Sequence, residues 1–122
     1  MPVRIKQKIR YQGTITPENL NQETTVVDLA DQADDYIVEG YISLRNMQSG
    51  DAVIIRTYIA VDGVNQDRAD EASFSGPQLY PVIRIPAATL PYNGRFKVTL
   101  TQTAGSLKSF PYVVIVQIME VL

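Results

Sequence analysis

The chain has 122 residues, 11 of them basic and 13 acidic, for a formal net charge of −2 and a sequence pI near 5.0. That length makes one ordinary domain, able to bury about two thirds of the surface its unfolded form exposes. It holds neither cysteine nor histidine, which excludes disulfides, thiolate nucleophiles, Ser-His-Asp arrangements and the usual zinc sites.

The first segment, VRIKQKIRY, alternates without a break. In an extended chain Val3, Ile5, Gln7, Ile9 and Tyr11 fall on one side and Arg4, Lys6, Lys8 and Arg10 on the other. Residues 1–11 are therefore expected to form an N-terminal strand that lies at a sheet edge or is exchanged with a neighbouring subunit. The charges rule out the apolar core of a secretory signal, and no apolar run approaches the ~20 residues of a membrane helix. A short strand over 23–29 follows, then the acidic loop ADQADD, with a short helix over 28–35 as the one tolerated exception to strand.

YIVEGYISL places Tyr36, Val38, Gly40, Ile42 and Leu44 on one face, with Ile37, Glu39, Tyr41 and Ser43 opposite. After the turn RNMQSGD, AVIIRTYIAV sets Val53, Ile55, Thr57, Ile59 and Val61 against Ile54, Arg56, Tyr58 and Ala60. The Asp-Gly step in DGVNQDR marks a hairpin loop leading into the strand ADEASFS. GPQ breaks the chain, and LYPVIRI is a strand that Pro81 confines to an edge or bulge. PAATLPYNG is expected to be a connector ending in an Asn-Gly turn. RFKVTLTQT alternates again, and AGSLKS leads into the last strand, which holds the all-apolar run of residues 112–116. With period two almost throughout and no repeat or linker, the expectation is a single all-β domain over 1–122, a β-sandwich or jelly roll of about seven to nine mainly antiparallel strands.

No constellation carries chemistry. Asp28, Asp31, Asp34 and Asp35, and likewise Asp62, Asn65, Asp67, Asp70 and Glu71, lack the spacing of a calcium loop and are expected to shape solvated turns. Asp70 and Glu71 cannot flank one glycosidic bond, because neighbours on a strand point to opposite faces. No catalytic residue, cofactor or metal is therefore expected, and the protein is not expected to be an enzyme. One basic strand on an acidic protein makes nucleic-acid binding unlikely.

Charge is nonetheless segregated. Residues 1–11 carry four basic side chains, whereas 12–44 carry seven carboxylates and no basic residue. Arg4, Lys6, Lys8 and Arg10 are expected to meet the segment containing Asp31, Asp34 and Asp35 on an adjacent copy. Tyr41 and Tyr58, with Ile37 and Ile54, make their strands apolar on both sides, which calls for cover by a second layer or subunit.

The phrases MQSGDAVIIRTYIAVDG, ADEASFSGPQ and RFKVTLTQTAGSLKSFPY resemble short, histidine-poor all-β proteins of uncharacterised function from viruses and from environmental archaeal and bacterial genomes. The resemblance covers roughly residues 38–115 and is an order of strand and turn phrases, with no catalytic signature. It implies a virion structural component: a capsid, turret or decoration subunit, partnered by other copies of itself or a major capsid protein. The want of a signal or membrane segment in the sequence leads to the expectation of synthesis in the host cytoplasm and no membrane. The alternative is a small β-sandwich module that binds glycan or protein.

Overall fold

A computed structural model describes residues 2–121. Its strands are β1 (Val3–Ile15), β2 (Thr24–Leu29), β3 (Tyr36–Ser43), β4 (Ala52–Ala60), β5 (Asp67–Ser75), β6 (Val82–Leu90), β7 (Arg95–Ala104) and β8 (Phe110–Val121). There is no helix among the described residues, and 28–35 finishes β2 and then bends as a loop. All pairings are antiparallel, in two four-stranded sheets ordered β1-β8-β3-β6 and β2-β7-β4-β5. Every connection except β4 to β5 passes from one sheet to the other. Two packed sheets wound in this way form a jelly roll.

The core follows from the period-two pattern. Tyr36, Val38 and Ile42 of β3, Val53 and Ile55 of β4, Phe96, Val98 and Leu100 of β7, and Phe110, Val114, Val116 and Ile118 of β8 point between the sheets and are buried. Each fully buried large apolar side chain contributes about 1.5–3 kcal/mol. The four strands that supply them are the inner strands of the two sheets. Gly40 lies against β8 so closely that a Cβ there would come 2.3 Å from the Val113 carbonyl oxygen.

Antiparallel crossing gathers the loops at two ends. At one, Thr16 and Ser109 share a hydrogen bond of 2.8 Å, Asn46 Nδ2 donates to the Ser109 carbonyl and Leu44 N to the Pro81 carbonyl. At the other, Gln32 N donates to the Tyr92 carbonyl, Met119 N to the Asp35 carbonyl, and the fully buried Tyr36 hydroxyl to the Gly94 carbonyl.

Two expectations need correction. Residues 86–90, expected to be connector, are strand. Pairing with β3 slips between Val38 and Gly40, where β6 steps from Ala88 to Ile85, so Pro86 and Ala87 occupy a bulge on an edge strand. A residue without an N–H is tolerated there.

The second correction concerns the basic ladder. β1 is an edge strand, paired along β8 to Ile15, but its register slips between Ile5 and Gln7: Ile5 opposes Met119 and Gln7 opposes Ile118. Lys6 is the extra residue of a β-bulge, and one extra residue exchanges the two faces of everything beyond it. Gln7, Ile9, Tyr11 and Ile15 face inward with Ile118, Val116, Val114 and Phe110. Val3 and Ile5 instead lie with Lys8 and Arg10 on the outer face, and Arg4 turns to the inward side at the sheet end. The four basic residues do not share a face.

Candidate assembly surfaces

The outer face of the β1-β8-β3-β6 sheet is more apolar than a solvated face requires. Register places Val3 and Ile5 of β1, Val113, Ile115, Met119 and Val121 of β8, Ile37 and Tyr41 of β3, and Val82 of β6 on it. Val3, Ile5, Tyr41, Val82 and Val121 are exposed large hydrophobics, with Val82 at 59% and Val121 at 56%. Its polar members are Lys8, Arg10, Gln12 and Thr14 of β1, Gln117 of β8, Glu39 and Ser43 of β3, and Arg84 and Thr89 of β6. Exposed apolar side chains gathered on one sheet face make it a candidate contact surface. Tyr41, expected to lie at an interface, sits on this face opposite Arg84, beside a cavity of about 190 Å³ lined by Glu39, Arg84 and the Pro86 bulge.

Tyr58 belongs elsewhere. It lies on the outer face of the other sheet, within a polar network. Its hydroxyl and that of Thr99 both donate to the Glu23 carboxylate, and Lys97 Nζ stands 4.7 Å from the Tyr58 ring centroid. Burial opposes ionisation of Glu23, but the hydrogen bonds from Thr99 and Tyr58, with Arg56 and Lys97 nearby, hold its pKa below the ordinary 4.5. Arg56 donates to Glu71 at 2.6 Å. These groups satisfy one another, while Thr101, buried on the same face, leaves its hydroxyl without a partner. Tyr41 and Tyr58, on opposite sides of the sandwich, cannot form one site.

The acidic loop is tied to its own molecule. Asp34 Oδ1 accepts from Asp35 N, and Asp35 Oδ1 accepts from Tyr92 N at 3.0 Å. Asp34 and Asp35 border a cavity of about 160 Å³ together with Val3, Met119, Glu120 and Val121. The acidic loop and the start of the basic strand therefore share one end of the same chain. Arg4 has a partner there, its Nη2 2.5 Å from Glu120 Oε1. Among the described residues Lys6, Lys8 and Arg10 make no ion pair. Asp31 lies close enough to Tyr36 to add to the rise of its pKa, which burial chiefly causes. The second group of acidic residues shapes a turn: Asp62 Oδ1 accepts from Val64 N and Asn65 N, and Oδ2 from Asn65 Nδ2. Asp70 pairs with Thr57 on the inner side while Glu71 pairs with Arg56 on the outer.

Edge strands decide whether a sandwich adds strands from a neighbour. The four edges are β1, β6, β2 and β5. Each is bulged: β1 at Lys6, β6 at Pro86 and Ala87, β2 between Thr25 and Val27, and β5 where Thr57 and Tyr58 oppose Asp70 and Arg68. The missed signal for the outer surface lay in β8. The run VVIVQIM is apolar at both parities, as a strand covered on both faces would be.

The fold defines a class, the eight-stranded jelly-roll sandwich, and solved structures share it. The crystal structure of the infectious bursal disease virus VP2 subviral particle matches with a TM-score of 0.50 at 14% identity, over 95% of this chain and 33% of that one. The structure of the infectious bursal disease virus Gx strain matches at 0.52 and 15% identity, over 97% of this chain and 33% of that one. The chain thus spans about a third of the length of these neighbours, and the likeness is one of fold. No family model and no curated protein matches the sequence.

Proposed function

We propose that this chain is a non-enzymatic structural subunit of a virus particle, one that assembles with copies of itself or decorates a shell made of a major capsid protein. The observation that carries the reading is the apolar outer face of the β1-β8-β3-β6 sheet, which a solitary domain has no use for. The jelly roll it shares with a particle-forming VP2 chain supports the same reading. On this view the face packs against a neighbouring subunit, with Lys8 and Arg10 at its margin available to a carboxylate of the partner, such as those of the 31–35 loop. Residence is then the virion.

Light scattering on the purified chain tests this. The wild type should form species larger than a dimer, and Tyr41→Asp combined with Val82→Asp should remove them while leaving the circular dichroism unchanged. Assembly that survives both substitutions places the contact elsewhere.

A binding module for glycan or protein is the second reading. It is favoured by the β5–β6 loop, which presents Leu79 and Tyr80 at 84% and 81% exposure at one end of the sandwich. A chain that stays monomeric and binds a glycan array would support it over the particle.

A further inference from the structure

Three of the four edges are closed to strand addition by their own sequence. β6 is interrupted by Pro86 and its bulge. β2 has six residues and a slip near its middle. β5 presents Asp67, Arg68, Asp70 and Glu71, all exposed, around its bulge. β1 differs. Its bulge sits near one end, so residues 7–15 run in unbroken register along β8 and contain no proline. Their outward N–H and C=O groups form the longest regular edge on the molecule.

The same strand marks a gap in the core. Ile9, Tyr11 and Ile15 pack against the core cluster yet remain only half-buried. At the opposite margin Ile55, Thr57, Asp70 and Ala72 line a cavity of about 150 Å³ with Ile83, Ile85 and Pro86.

We infer that residues 7–15 of β1 pair antiparallel with the same residues of a second copy, across a two-fold axis through Tyr11. The inference rests on the assembly reading above and adds the contact and its register. Faces match only when paired positions share parity, which leaves few registers. Centring on Arg10 sets Arg10 against Arg10, and centring on Ile9 sets Lys8 against Arg10; like charges directly opposite repel. Centring on Tyr11 pairs Lys8 with Thr14, Arg10 with Gln12, Ile9 with Gly13, Gln7 with Ile15 and Tyr11 with itself. It uses all of 7–15 and opposes no like charges, whereas centring on Gln12 uses only 9–15. Lys8 and Arg10 thereby act as the device that selects register, charged residues that guard the edge in every arrangement but the right one. The contact is isologous, as a two-fold requires, and it joins two sheets into one of eight strands.

The absence of cysteine in the chain makes the test clean. Arg10 and Gln12 are exposed on the outer face. The double variant Arg10→Cys, Gln12→Cys should convert under mild oxidation almost wholly to a covalent dimer of twice 13.6 kDa. Arg10→Cys alone and Gln12→Cys alone should stay largely uncrosslinked, since each faces the other position across the axis. Strong crosslinking of either single variant moves the axis to that residue and overturns the register. A double variant that assembles by light scattering but does not crosslink overturns the edge pairing and leaves the assembly reading standing. A wild type and double variant that are both monomeric overturn both.

Discussion

The Asp51 carboxylate, 3% exposed between two loops, is met by the Lys108 ammonium at 3.1 Å. Its Oδ2 also accepts from Gln48 N at 2.8 Å. The pair fastens the β3–β4 turn to the β7–β8 turn, joining segments that lie far apart in sequence.

Removing that anchor should cost stability. The Gln48 N–H bond, with lesser help from Lys108, holds the Asp51 pKa below the ordinary 3.8 against the effect of burial. A depressed carboxylate contributes stability that is present above the unfolded-state pKa and lost as pH falls through the folded one. Asp51→Ala should lower unfolding free energy by about 2–4 kcal/mol at neutral pH, because it leaves an N–H and an ammonium unpaired. Asp51→Asn should also flatten the acid limb of stability against pH. Urea denaturation from pH 7 down to pH 2 measures both.

Gly105 stands over the same carboxylate with φ at +87°, and a Cβ there would lie 1.9 Å from Asp51 Oδ1 and 2.9 Å from its Cα. Gly105→Ala combines a left-handed backbone with a clash against a side chain that cannot swing away. A loss of about 3 kcal/mol or more is expected. A thermal midpoint within a few degrees of wild type would show that the two turns are not clamped as described.

Tyr36 gives the opposite pH limb. Burial, reinforced by Asp31 and opposed by Arg95, pushes its pKa up to about 12. A raised phenol is stabilising below the unfolded value near 10, and that contribution is lost as pH climbs from there through the folded value. Tyr36→Phe should cost about 1–3 kcal/mol at neutral pH, since it strands the Gly94 carbonyl, and should shallow the alkaline decline. Tyrosinate absorbance followed alongside unfolding separates the two effects.

Much of this architecture is legible in the chain. Period-two runs place β3, β4 and β7 nearly to the residue, and Tyr41 and Tyr58 announce strands that are apolar on both sides. Bulges are not legible in the same way, because a bulge belongs to a pair of strands. VRIKQKIRY alternates perfectly, and nothing within it singles out Lys6 as the residue that β8 skips. Pro86 misleads for a related reason: a proline argues against strand until the strand is known to be an edge. Asp51 reads as one more polar residue of a turn, since its burial comes from loops brought together by the winding of the sheets.

Deleting Lys6 tests the bulge directly. With the extra residue gone, β1 should pair with β8 in unbroken register, Ile5 still opposite Met119 and Arg4 still opposite Glu120, so that Val3 and Ile5 keep the outer face. The Arg4–Glu120 pair and the outer face are then both kept, so urea unfolding should change by no more than the ~1 kcal/mol of an exposed ion pair and assembly should stay as in wild type. A loss of several kcal/mol would mean that Lys6 holds the strand in a way the register does not show.

The central claim is that this jelly roll is made to associate, and the mass of the unmodified chain in solution tests it most directly. Light scattering across a concentration series should report species well above twice 13.6 kDa. A single species of 13.6 kDa at every concentration would contradict the account.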